Sequence, residues 1–92
     1  MSFNLLLHYS QKVVDRMLDA KIVGAVIKYY RIEKNISQEV LSGLADIGRS
    51  HLSMLERGNR KPTLETLFKL CDALEVRPSK MVEEIMRRQE SA

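Results

Sequence analysis

With 92 residues, 45% hydrophobic and 29% charged, the chain suits one domain and is too apolar to be wholly disordered. It has no apolar run near the ~18 residues of a membrane span and no signal-peptide pattern at its start, and the lone Cys71 excludes an intramolecular disulfide and a cysteine-pair zinc site, so a cytoplasmic setting is expected. The net charge of +3 falls entirely in residues 47–63, where Arg49, Arg57, Arg60 and Lys61 face Glu56 alone, a local footprint for a polyanion.

Apolar periodicity predicts helices throughout. A first helix is expected over about Asn4 to Leu18, with Leu6, Val13, Val14, Met17 and Leu18 as its stripe. The next runs from about Ala20 to Lys34 on Val23, Ile27 and Tyr30; Asp19 either caps it or lies inside one long helix. The β-branched Ile22, Val23, Val26 and Ile27 follow helical spacing and not strand alternation. Asn35 tolerates the left-handed conformation of a helix end. Ser37 is the cap of a short helix, about Gln38 to Ala45, with Glu39 in its first turn. Asp46-Ile47-Gly48 breaks it, and another helix runs to about Arg57. After the polar loop Gly58-Asn59-Arg60-Lys61-Pro62, Thr63 caps a helix over about Leu64 to Leu74, with Leu64, Leu67, Phe68, Cys71 and Leu74 on one face. Pro78 opens a last helix to about Gln89, whose apolar face is Met81, Val82, Ile85 and Met86.

Two short helices joined by a three-residue turn, the second in a basic segment, form a helix-turn-helix. The residues Val23-Gly24, Ile27, Arg31, Ser37-Gln38-Glu39, Leu41, Ile47, Leu52-Ser53, Leu55-Glu56-Arg57-Gly58, Pro62-Thr63-Leu64-Glu65-Thr66-Leu67 and Ala73-Leu74 carry a resemblance across about Val23 to Val82. In this order they resemble the phage-repressor/Cro type of helix-turn-helix DNA-binding domain. The resemblance implies an all-α, lambda-repressor-like five-helix bundle. Residues 1–19 are then an additional N-terminal helical extension, and 20–92 the DNA-binding domain with a C-terminal dimerisation helix.

Leu41 and Leu44 are expected to face inward with Ile47, Leu52 and Leu55, leaving Arg49, Ser50, Ser53 and Met54 on the outer face of the second helix. The resemblance places that helix in the major groove and makes these four the base-reading residues. Arginine pairs with guanine O6 and N7, serine bonds several base edges, and methionine meets a thymine methyl. It also makes Gln38, Asn59, Arg60 and Lys61 phosphate contacts, with Arg57 beside them, and Arg31 and Glu56 a semi-buried structural salt bridge. Ser42 stands where the family has a small residue, Asp46 and Glu75 where it has glycine, and Arg77 where a capping serine is common.

An enzyme is not expected. Gly24, Gly43, Gly48 and Gly58 form no phosphate loop, and His8 and His51 lack partners at metal-ligand spacing. Cys71 lies on an apolar face as a core thiol, and Tyr9, Tyr29 and Tyr30 form no stacking platform. No metal or cofactor is expected. The expected function is a sequence-specific transcriptional regulator acting on double-stranded DNA as a homodimer, since one helix-turn-helix reads too few base pairs for a useful specificity ratio. With so few residues on either side of the matched region, no separate ligand-sensing domain is expected. The dimer contact is placed on Met81, Val82, Ile85 and Met86, and second on the extension through Leu5, Leu6, Leu7, Val13, Val14 and Met17; otherwise both segments cap their own core. The alternative is a protein-interaction module of the same fold, such as an antitoxin or regulator subunit that holds a partner protein. Salt-sensitive, sequence-selective duplex binding separates the two.

Overall fold

The computed structural model describes residues 18–92, which contain helices and no strand. The helices are α1 (Ala20–Glu33), α2 (Gln38–Ala45), α3 (Arg49–Glu56), α4 (Leu64–Leu74) and α5 (Pro78–Ser91). The expected helix over 4–18 and the N-terminal dimer candidates lie outside the described residues, apart from Leu18, which is exposed and non-helical.

Side-chain caps fix three of the five starts, those of α1, α2 and α4, while α3 after Gly48 and α5 after Arg77 have none. The Asp19 side chain accepts from Lys21 N, Ser37 from Val40 N and Thr63 from Thr66 N, which satisfies amides that the helices leave without partners. Asp19 therefore begins α1 afresh. Each of the four helix ends inside the bundle closes in the same way. Asn35, Asp46, Gly58 and Glu75 adopt φ of 58°, 55°, 78° and 58°. The next residue's amide reaches back five positions: Ile36 to Arg31, Ile47 to Ser42, Asn59 to Met54, and Val76 to Cys71. Aspartate and glutamate thus do the work of glycine at two ends. At Glu75 the side chain also pairs with Lys34, which ties the α4–α5 turn to the end of α1 and holds the Glu75 carboxyl below its ordinary range.

The core is one cluster in which Ile27, Leu41, Leu52, Leu55, Leu70 and Met81 are fully buried. Burial of each such side chain is worth about 1.5–3 kcal/mol. Helix α1 packs on α3 and α5, α2 on α3 and α4, and α4 on α5. Gly24 permits the first of these contacts, because a Cβ there would sit 2.1 Å from the Leu55 carbonyl oxygen.

Three facial assignments change. Leu44 is 62% exposed. Helix α2 instead turns Leu41, Ser42 and Ala45 inward, and the small Ser42 and Ala45 bring its backbone close to its neighbours. On α4 the buried face is Leu67, Leu70, Cys71 and Leu74, so the helix is rotated toward Leu70 and leaves Leu64 and Phe68 exposed. On α5 only Met81 and Ile85 are buried, against their own subunit, and Val82 and Met86 face out. Met81 and Ile85 are therefore core residues and not interface residues.

Candidate nucleic-acid interface

Helix α3 is held from behind. Leu52 and Leu55 are fully buried and Ile47 packs against the same core, so the α2–α3 angle is set by apolar contact around the left-handed turn at Asp46. The opposite side of α3 is open. Arg49 and Ser50 are exposed, and Ser53 and Met54 are half-buried. Residues 49, 53 and 57, like 50, 54 and 57, recur at the spacing that shares one helix face. Together with Gln38 from the start of α2, these residues line one shallow, open concavity: Gln38, Arg49, Ser50, Ser53, Met54 and Arg57.

The four expected base-reading residues thus meet, and Gln38 and Arg57 join them. Arg57 Nε donates to the Ser53 carbonyl oxygen at 3.4 Å, which lays its side chain back along α3. Asn59, Arg60 and Lys61 are exposed in the α3–α4 loop, outside the concavity. Arg60 and Lys61 are, with Arg49 and Arg57, the cations of residues 47–63.

Arg31 and Glu56 form the expected pair. Arg31 Nε donates to Glu56 Oε2 at 2.7 Å and Nη2 to Oε1 at 2.9 Å, with side chains 13% and 2% exposed. Arg31 Nη1 donates to the Ile36 carbonyl oxygen at 2.9 Å, so one guanidinium joins α1, the α1–α2 turn and the end of α3. The Glu56 carboxylate raises the pKa of Arg31 further. Sequence reasoning missed a third partner: Gln38 Nε2 donates to Glu56 Oε1 at 3.0 Å. The signal was one of position, since the first residue of α2 and the last of α3 meet where the two helices cross.

The described residues contain no cluster of three or more histidines, cysteines or carboxylates able to hold a metal. Cys71 is buried, and that burial pushes its thiol above the ordinary range. Among the described residues no helix is long and apolar enough to cross a membrane.

Several of the large apolar residues left outside the core, Leu64, Phe68, Val82 and Met86, lie on α4 and α5. Phe68 and Pro78 line the same groove between α4 and α5, with Asp72, Glu75 and Arg77 also in its lining. Val82 and Met86 continue from Pro78 at four-residue steps along α5, and Leu64 lies one turn before Phe68 on α4.

A helix-turn-helix family model matches residues 27–81. The chain is 41% identical over 56 residues to an uncharacterised HTH-type transcriptional regulator of Sinorhizobium fredii, covering 61% of this chain and 73% of the relative. It is 33% identical over 63 residues to the control protein C.BamHI of Bacillus amyloliquefaciens, covering 67% and 78%. The crystal structure of the restriction-modification controller protein C.AhdI from Aeromonas hydrophila superposes with a TM-score of 0.67 at 33% identity, over 68% of this chain and 96% of that one.

Proposed function

The chain belongs to the helix-turn-helix family, as a DNA-binding regulator of the phage-repressor/Cro type and not an enzyme, and we propose that it acts as a homodimer on a two-fold symmetric operator. The observation that carries this reading is the two-sided build of α3. Its inner residues are locked in the core, while Arg49, Ser50, Ser53 and Met54 stand together on the open side. Arg49 pairs with a guanine, the serines bond base edges, and Met54 meets a thymine methyl. Gln38, Arg57, Asn59, Arg60 and Lys61 hold phosphates on either side, which position the helix without reading sequence.

The dimer contact rests on what the bundle leaves uncovered. Leu64, Phe68, Val82 and Met86 are 71%, 52%, 40% and 50% exposed, which is costly apolar surface for a lone subunit. They lie on α4 and α5, and a two-fold contact there has to set two copies of α3 about 34 Å apart to match one turn of duplex. The names of the C.BamHI and C.AhdI relatives support a short regulator of the control-protein kind.

Selection of bound sites from random duplex DNA tests the reading. Enrichment of a two-fold repeat with half-sites one helical turn apart is expected, and a pool that stays random overturns it. Phe68→Glu tests the contact, because the residue is exposed and the fold should survive. The variant sediments as a monomer and loses the operator while keeping its helical circular dichroism; a variant still dimeric moves the interface elsewhere.

A further inference from the structure

Glu56 stands behind both the scaffold and the open face of α3. Its carboxylate, with a side chain 2% exposed, accepts from Arg31 Nε and Nη2 and from Gln38 Nε2. A carboxylate has acceptors only, so the Gln38 amide must turn its NH2 group toward it. One amide hydrogen is thereby spent on Glu56. The other, with the carbonyl oxygen, remains for the concavity that Gln38 shares with Arg49, Ser50 and Ser53. Arg31 neutralises the carboxylate, so the amide is not backed by a net negative charge where a polyanion must approach.

We propose that Glu56 is a positioning residue for DNA binding: it holds the Gln38 amide so that its second N–H meets a DNA phosphate. This rests on the reading of the concavity as the DNA-facing side. A free glutamine side chain loses rotamer freedom when it binds, whereas one already tied to a buried carboxylate has lost it on folding. The ion pair that secures α3 therefore also sets the geometry of a contact on α2. Arg31 acts at one further remove, through the charge it cancels.

A double-mutant cycle on the full chain tests this. Wild type, Gln38→Ala, Glu56→Leu and the double variant are titrated against a duplex enriched from a random pool and against a scrambled duplex of equal length. The temperature is one at which circular dichroism finds every variant folded. With Glu56 intact, Gln38→Ala weakens binding about tenfold, equally on both duplexes, because a phosphate contact carries no sequence. In the Glu56→Leu background, which leaves no acceptor for Gln38 Nε2, the same substitution costs less than about twofold, since the amide is no longer held. An equal loss in both backgrounds, or a loss confined to the enriched duplex, overturns the proposal.

Nuclear magnetic resonance of the wild type covers the case in which Glu56→Leu does not fold. The Gln38 side-chain amide protons cross-relax with the Glu56 Hγ protons and shift when the enriched duplex is added. Amide signals averaged like those of a free glutamine and unmoved by DNA refute it. If no duplex is enriched, the DNA reading falls and this one with it. If a duplex is enriched and bound but the losses simply add, only the positioning role falls.

Discussion

Replacing Arg31 by methionine keeps most of the aliphatic bulk and removes the guanidinium. Three hydrogen bonds go with it, two to Glu56 and one to the Ile36 carbonyl. Glu56 keeps only the Gln38 amide, with its side chain 2% exposed. Leaving one member of a buried ion pair unmatched costs about 3–5 kcal/mol. A domain of roughly 75 residues at ~0.1 kcal/mol each has about 7 kcal/mol in all, so the variant forfeits around half of its stability. At about 4–8 °C per kcal/mol for this size, the melting temperature falls by roughly 12–40 °C. Thermal and urea melts followed by circular dichroism measure it. Lys34→Ala, which breaks an exposed pair, is the control and should move the melt little. Arg31→Met with Glu56→Leu should recover much of the loss, because an apolar pair of similar volume often replaces a buried bridge without penalty. A single variant within about 1 kcal/mol of wild type would show that the pair is well hydrated and refute the reasoning.

Gly24→Ala places a methyl 2.1 Å from the Leu55 carbonyl oxygen and 2.8 Å from that of Glu56, both backbone atoms. We expect a loss above about 3 kcal/mol in urea melts, since α1 must lift off α3. Arg49→Ala is expected to weaken the operator by about 1–3 kcal/mol per half-site and relax one base position, whereas Lys61→Ala weakens all duplexes alike and lowers the salt slope by about one unit per half-site. Sequence-blind losses for both would remove Arg49 from base reading. Glu84, paired with Arg87 and Arg88, is held down to about 2 from an ordinary 4.5. A depressed folded value means stability that is present above 4.5 and lost as pH falls toward 2. Glu84→Gln should flatten the acid limb in that window, and an unchanged acid limb would count against the pairing.

Helix existence and limits were legible because capping is local chemistry. Ser37, Thr63 and Pro78 announce their helices within a few residues, and α2 and α4 begin and end where the sequence places them. Facial assignments were less legible, because which side of a helix is buried depends on its neighbours. Leu44 and Phe68 look like core by spacing, but the packing of α2 and α4 turns Ser42 and Leu70 inward in their place. The resemblance supplied the Arg31–Glu56 pair, and no local pattern distinguishes that pair from other charges 25 residues apart. The Gln38–Glu56 bond was hidden for the same reason, as it spans 18 residues and exists only where two helices cross.

Stability alone does not account for a charged pair at the junction of α1 and α3. Leucine and methionine of similar volume would hold the same helices, often as firmly. An apolar pair, however, offers Gln38 nothing to bond, and its amide would be left to choose among rotamers at the edge of the concavity. A carboxylate fixes the side chain, and a carboxylate buried at 2% exposure requires a cation beside it. In the proposed reading the ion pair and the Gln38 phosphate contact therefore form one arrangement. Arg31→Met with Glu56→Leu should separate its two parts: a chain that melts near wild type and yet binds every duplex about tenfold more weakly. If that double variant bound with wild-type affinity, the buried charges would serve the scaffold alone.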